Sequence, residues 1–201
     1  AWDVSKVENM DSIFSHAISF NGNISLWNVF KVTSMSSMFA GATSFNQDIG
    51  TWNVFKVTDM TKMFSEASSF NQNISTWDVK KATDMSRMFY MATSFNQDIG
   101  TWNITKVAAM NDMFYGVTLS TAFYNNILTS WVSKNPEYNV VFNAGNSEYT
   151  LGAPSDAKLV LTSTYQWVIS DGGIAINDIV ISTQDISDIT MTSATSGGNI
   201  S

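Results

Sequence analysis

The 201-residue chain is 44% hydrophobic and 13% aromatic, ample for a packed core, and carries a net charge of −7. Residues 1–115 hold eight basic and ten acidic side chains and residues 116–201 two and seven, so neither part has the basic footprint of a nucleic-acid binder. No cysteine and a single histidine rule out disulfides, thiolate zinc sites and multi-histidine metal sites, and no apolar stretch approaches the roughly 18 residues of a membrane span.

From the first residues the chain is periodic. Trp2, Trp27, Trp52, Trp77 and Trp102 recur every 25 residues, as do Met10, Met35, Met60, Met85 and Met110, and Phe14, Phe39, Phe64, Phe89 and Phe114. Units of this length cannot bury an apolar face alone and must stack on their neighbours. In the third unit, Ile49, Trp52 and Val54 have the spacing of a short strand. Trp52 and Val54 then point inward and Thr51, Asn53 and Phe55 outward. Met60, Met63, Phe64 and Ala67 sit at i, i+3, i+4 and i+7, which predicts a helix capped by Thr58 with Asp59 in its first turn. The fold class read from this is α/β, a leucine-rich-repeat-like solenoid of strand-turn-helix units over residues 1–115.

The return loops repeat Phe45-Asn46-Gln47-Asp48-Ile49. Asn21, Asn46, Asn71 and Asn96 form a column expected to bond backbone groups left unpaired by the turn. Asn23, Asp48, Asn73 and Asp98 alternate in charge, which avoids like charges on coils about 4.8 Å apart. Lys6, Lys31, Lys56, Lys81 and Lys106 read as a solvated row. The nine methionines of the repeat columns read as core filler and not as metal ligands. Beyond Phe114 the period weakens: residues 121–132 and 154–163 are predicted helical, 139–142 and 165–170 extended, and 116–173 are taken as degenerate repeats forming a C-terminal cap. Residues 174–201 are taken as a linker or the first strands of a following β module.

The unit Phe45 to Val54, followed by Val57-Thr-Asp-Met-Thr-Lys-Met-Phe64, resembles the 25-to-26-residue bacterial surface protein repeat related to BspA-type leucine-rich repeats. Residues 185–201 are similar to the opening of a fibronectin-type-III-like module. The resemblance implies an extracellular or cell-surface, adhesin-like repeat protein, with this chain a piece of a larger multidomain one. It implies binding to an extracellular protein or glycan and carries over no site residues. Phe30 and Phe55 depart from it, since the family usually places a small polar residue there, as at Ser5.

The outward positions suggest where binding would sit: Asn28, Phe30, Asn53, Phe55, Asp78, Lys80 and Asn103 form a polar, partly aromatic sheet face. Other readings are that Phe30 and Phe55 tuck over a turn, that the array is a structural spacer, or that its Thr and Asn columns bind ice or mineral. No enzyme, cofactor, metal or membrane insertion is expected, because the acidic residues obey the repeat and an active site normally breaks one.

Overall fold

The computed structural model describes residues 2–176, together with the backbone of 181–183, 189–190, 193–194 and 198–200. Over residues 2–115, successive 25-residue units lie in register. Parallel bridges join Asn9 to Ser34, Ser34 to Asp59, Asp59 to Asp84 and Asp84 to Ala109. Equivalent rings stack from unit to unit: Trp27 on Trp52 at 6.4 Å, Trp77 on Trp102 at 6.4 Å, Phe39 on Phe64 and Phe64 on Phe89 both at 5.6 Å. Within each of the first four units the two phenylalanines also stack, as Phe64 does on Phe70 at 4.0 Å. The methionine columns are buried throughout, from Met10 to Met113. One continuous apolar interior therefore runs along the array, and most of its rings lie against their own copies in the next coil.

The helix expected at Met60 to Ala67 does not form, nor do its counterparts in the other units. The segment is instead a ribbon of overlapping turns. The N–H groups of Met60, Lys62, Phe64 and Glu66 donate outward to the carbonyls of Asp84, Ser86, Met88 and Tyr90 in the next coil, while those of Met63, Ser65 and Ala67 close turns onto Met60, Lys62 and Phe64. Alternate donors thus serve the neighbouring coil and the local turn, and none is left over. Such a ribbon needs left-handed backbone at every fourth residue, and Lys62 and Glu66 have φ of 56° and 61°. Helix and ribbon both put positions i, i+3, i+4 and i+7 on the inside, so the apolar spacing cannot separate them. Thr58 is accordingly not a helix cap: its N–H and its hydroxyl both donate to the Thr33 carbonyl of the preceding coil, at 2.9 and 3.2 Å.

The expected strand at Trp52 to Val54 is also unpaired, although its side chains alternate as foreseen, with Trp52 and Val54 buried and Thr51 and Asn53 exposed. Here the cross-coil bonds are made by side chains. The indole N–H of Trp52 donates to the Ile24 carbonyl at 3.2 Å, Trp77 to Ile49 at 3.1 Å and Trp102 to Ile74 at 3.1 Å.

Helix α1 spans Thr121–Val132 and is capped by the Ser120 hydroxyl, which accepts from the Phe123 N–H at 3.4 Å. Strands β1 (Val141–Asn143) and β2 (Glu148–Tyr149) follow, then α2 (Ala153–Ser163), opened by Pro154. Strands β3 (Val168–Ser170) and β4 (Gly173–Ile174) pair in parallel with β1 and β2 respectively, and α1 packs on α2. The array joins this region through the bridge from Met110 to Phe142. Further on, β5 (Ile181–Thr183) pairs antiparallel with β8 (Gly198–Ile200), and β6 (Ile189–Thr190) with β7 (Ser193–Ala194). The remainder of the expected β module over 174–201 lies outside the described residues.

Candidate functional site

Each coil is cornered by Asn or Asp side chains that accept from the N–H two residues on, the geometry of an Asx turn. At the first corner, Asn28, Asn53, Asp78 and Asn103 hold the N–H groups of Phe30, Phe55, Lys80 and Thr105 at 3.1–3.3 Å. Asp3 does the same for Ser5, whose hydroxyl and N–H hold the Asp3 carboxyl below the usual carboxylate range. At another corner Asn23, Asp48, Asn73 and Asp98 hold the N–H groups of Ser25, Gly50, Ser75 and Gly100. Only an acceptor oxygen is required, which is why Asn and Asp exchange freely in these columns. The candidate residues Asn28, Asn53, Asp78 and Asn103 are exposed, but one oxygen of each is already spent on shaping the backbone.

Phe30 is 43% exposed and Phe55 is half-buried, so neither is tucked into the core. Each ring is instead covered by a lysine of the following coil. The Lys56 ammonium lies 4.4 Å from the Phe30 centroid, and those of Lys80 and Lys81 lie 4.5 and 4.4 Å from that of Phe55. A cation over a ring face gains about 0.5–1 kcal/mol at an exposed site. Lys56 and Lys81 belong to the complete lysine column, so part of that row rests on aromatic rings instead of standing free in solvent. Lys80 also meets Asp78 at 3.4 Å, with both side chains half exposed. A shallow groove runs here between Phe30, Thr51, Asn53, Phe55, Thr76 and Asp78. The sequence-predicted residues are therefore brought together on one face, and the aromatic surface they share is sheathed in positive charge. Asn103 lies beyond the groove, a coil further along the same column.

The threonine column beside them is not a free hydroxyl grid. The hydroxyls of Thr76 and Thr101 donate to the carbonyls of Gly50 and Ser75 at 3.0 and 2.7 Å, directed along the stack. The Asn ladder is bonded as expected: Asn46, Asn71 and Asn96 N–H groups donate to the side-chain oxygens of Asn21, Asn46 and Asn71 at 2.9–3.0 Å. The amides of Gln47, Gln72 and Gln97 donate to the same oxygens. The ladder ends where Ser120 N–H takes the Asn96 oxygen at 2.8 Å, passing the register on to α1.

Sequence reasoning missed a second aromatic feature. Tyr90 and Tyr115 occupy a column that holds Ser15, Ala40 and Ser65 in the earlier coils, and their rings stack at 5.1 Å with 11° between planes. A departure from the repeat was the available signal. Among the described residues no group of three or more His, Asp or Glu side chains is arranged to hold a metal ion. No helix of the described residues is long and apolar enough to cross a membrane.

Neither a curated protein nor a solved structure matches the chain. A family model matches it twice, over residues 1–85 and 47–149, and together these spans cover the array and reach β2. The chain belongs to the family described as Mycoplasma protein of unknown function, DUF285, and is a repeat protein of that family.

Proposed function

We propose that the chain is a non-enzymatic, extracellular binding module of a bacterial surface or secreted adhesin-like protein. On this reading the array is a leucine-rich-repeat-like solenoid of the BspA-related kind, followed by the start of a fibronectin-type-III-like module. Its contact surface is the face carrying Phe30, Phe55 and Lys80. The observation that carries the reading is the pairing of the exposed Phe30 and the half-buried Phe55 with lysines of the next coil, beside a groove that Thr51, Asn53, Thr76 and Asp78 also line. Nothing in the core calls for an aromatic residue at those positions, since Ser5 and Thr105 hold them in the first and last coils.

The lysines bear on the class of ligand. A sugar ring would have to displace them to stack on either phenylalanine, whereas an acidic protein surface can accept the ammonium groups and bury the ring edges together. A protein ligand therefore fits this face better than a glycan. The competing reading, a structural spacer, draws support from the Asx corners, whose oxygens are already spent internally. Ice or mineral binding draws less support, since the Thr76 and Thr101 hydroxyls are directed along the stack.

The test is binding of the native chain and a Phe30→Ser/Phe55→Ser variant to immobilised extracellular matrix proteins. The expected outcome is at least a tenfold loss of affinity in the variant with an unchanged far-UV spectrum. Equal binding by both proteins removes the face as the site, and no binding by either favours the spacer.

A further inference from the structure

A second cleft, sharing no residue with the Phe30 and Phe55 groove, lies beside Tyr115 and is lined by Met91, Tyr115, Gly116, Asn143, Gly145 and Asn146, with Ser170 and Asp171 at its end. Its construction follows from the register of the coils. Phe89 N–H donates to the Met113 carbonyl, and Phe114 N–H donates to the Asn143 carbonyl. Two residues on, Gly145 lies against the Phe114 and Val117 carbonyls beside Tyr115. The stacked pair that starts at Tyr90 ends at Tyr115, and the cleft that Tyr115 borders is lined beyond it by Gly145, a residue with no side chain.

Gly145 is obligatory, whereas the place of Gly116 is held in other coils by His16, Glu66 and Met91 at φ of 58°, 61° and 55°. Gly145 has φ of 65°, and a Cβ there would lie 2.1 Å from the Val117 carbonyl oxygen; Gly116 has φ of 76°, and a Cβ there would lie 2.3 Å from the Met91 sulfur. At Gly145 the floor beyond Tyr115 is thus bare backbone that no ordinary substitution would fill. Tyr115 is 48% exposed and Met91 40%. The platform is also rigid: Tyr90 backs Tyr115, the Arg87 guanidinium lies 5.7 Å from the Tyr90 ring centroid, and Arg87 is held to Asp112 at 3.2 Å. At the edge, Asn143 spends its oxygen on the Gly145 N–H at 2.8 Å, which fixes the amide and leaves its NH2 as an oriented donor. Asn146 is exposed beside it. Asp171 is closed off, since Lys158, Tyr124 and the Gly173 N–H hold both of its oxygens.

We propose that this cleft is a saccharide-binding subsite, in which a neutral sugar ring lays its apolar face on Tyr115 and its hydroxyls meet Asn143 and Asn146. A supported aromatic face, a floor without side chains and a few fixed amide donors at the rim match the two-sided chemistry of a pyranose, which is apolar on its C–H face and polar around its edge. Tyr suits the task because little side-chain entropy is lost when it is already stacked. The coils that lack the tyrosine pair carry Ser15, Ala40 and Ser65 in this column, so the feature is confined to one end of the array. The subsite is independent of the protein-binding reading of the Phe30 and Phe55 face.

The experiment is calorimetric titration of the native chain with neutral oligosaccharides of glucose, mannose and galactose, and with chondroitin sulfate as an acidic probe, repeated on Tyr115→Ala, Tyr115→Phe and Phe30→Ser/Phe55→Ser. The expected result is saturable binding of at least one neutral oligosaccharide. Tyr115→Ala should weaken it roughly three- to tenfold, the range that aromatic stacking supports, while Tyr115→Phe and the double variant bind as the native chain does. Thermal unfolding of Tyr115→Ala within a few degrees of native excludes loss of fold as the cause. Failure of every neutral sugar to bind, undiminished binding by Tyr115→Ala, or binding confined to chondroitin sulfate and indifferent to Tyr115 would each overturn the proposal.

Discussion

Asn71 shows how much one side chain carries in this array. Its oxygen accepts from Asn96 N–H at 2.9 Å and from the Gln97 amide at 2.8 Å, while its own N–H is held by Asn46. Removing the oxygen strands a backbone donor that has no alternative partner, at a cost of about 1–3 kcal/mol. Asn71→Ala should lower the urea midpoint accordingly, and Asn21→Ala, which breaks the same bonds at an exposed position, should cost distinctly less. Asp48→Asn, by contrast, keeps the oxygen that holds Gly50 N–H and should leave the midpoint unchanged within error. The Asn ladder was legible in the sequence because a column of identical amides at a turn has few other uses. The Asx corners were not, since alternating Asn and Asp suggested charge spacing and concealed the one property the site requires, an acceptor.

At the scale of the element, the segment from Met60 to Ala67 marks the limit of reading by periodicity. Its inward residues were all identified, and Met60, Met63, Phe64 and Ala67 are fully buried, yet the backbone that presents them is a ribbon of turns. What decides between the two lies outside the segment: a neighbouring coil 25 residues on offers carbonyls to half of its N–H groups. Left-handed φ at Lys62 and Arg87, at roughly 1–2 kcal/mol per residue, is offset by those cross-coil bonds. Helix α2 was legible because its signal is local, Pro154 within the first turn; α1 was foreseen too, but not its Ser120 cap. The tryptophans permit a direct comparison. Trp77 donates to the Ile49 carbonyl, whereas the buried Trp131 indole N–H has no hydrogen-bond partner among the described residues. Trp77→Phe should therefore cost about 1 kcal/mol more than Trp131→Phe in chemical denaturation, because only the first change removes a hydrogen bond, the Ile49 carbonyl keeping its other bond from the Trp52 N–H.

For the molecule as a whole, stability should scale with the number of coils. Excising residues 51–75 joins Gly50 to Thr76 and restores every column, so that variant should fold with a smaller denaturant m-value; excising residues 51–72 shifts the columns by three and should abolish cooperative unfolding. At the other end, burial, and after it the charge of Asp171, raises the Tyr124 phenol above its ordinary 10.0. The folded chain then keeps a proton that the unfolded chain releases, so this contribution is complete below about pH 10 and is lost as the pH rises further. Tyr124→Phe should cost about 1–3 kcal/mol at neutral pH, through the lost bond to Asp171, and show a shallower decline in stability above pH 10, read from urea midpoints across the alkaline range. The uniform core columns carry one more consequence. A Trp, Met or Phe meets the same partner whichever coil lies against it, so the interior rewards a slip of one whole unit almost as well as the native pairing. What discriminates is on the surface, where Asp11 bonds Ser36 N–H, the notch at Gly41 admits His16, and Asn96 hands over to Ser120. Flattening those irregularities toward a consensus would strengthen each contact and blur the address of every coil, inviting strands of different molecules to interleave during refolding.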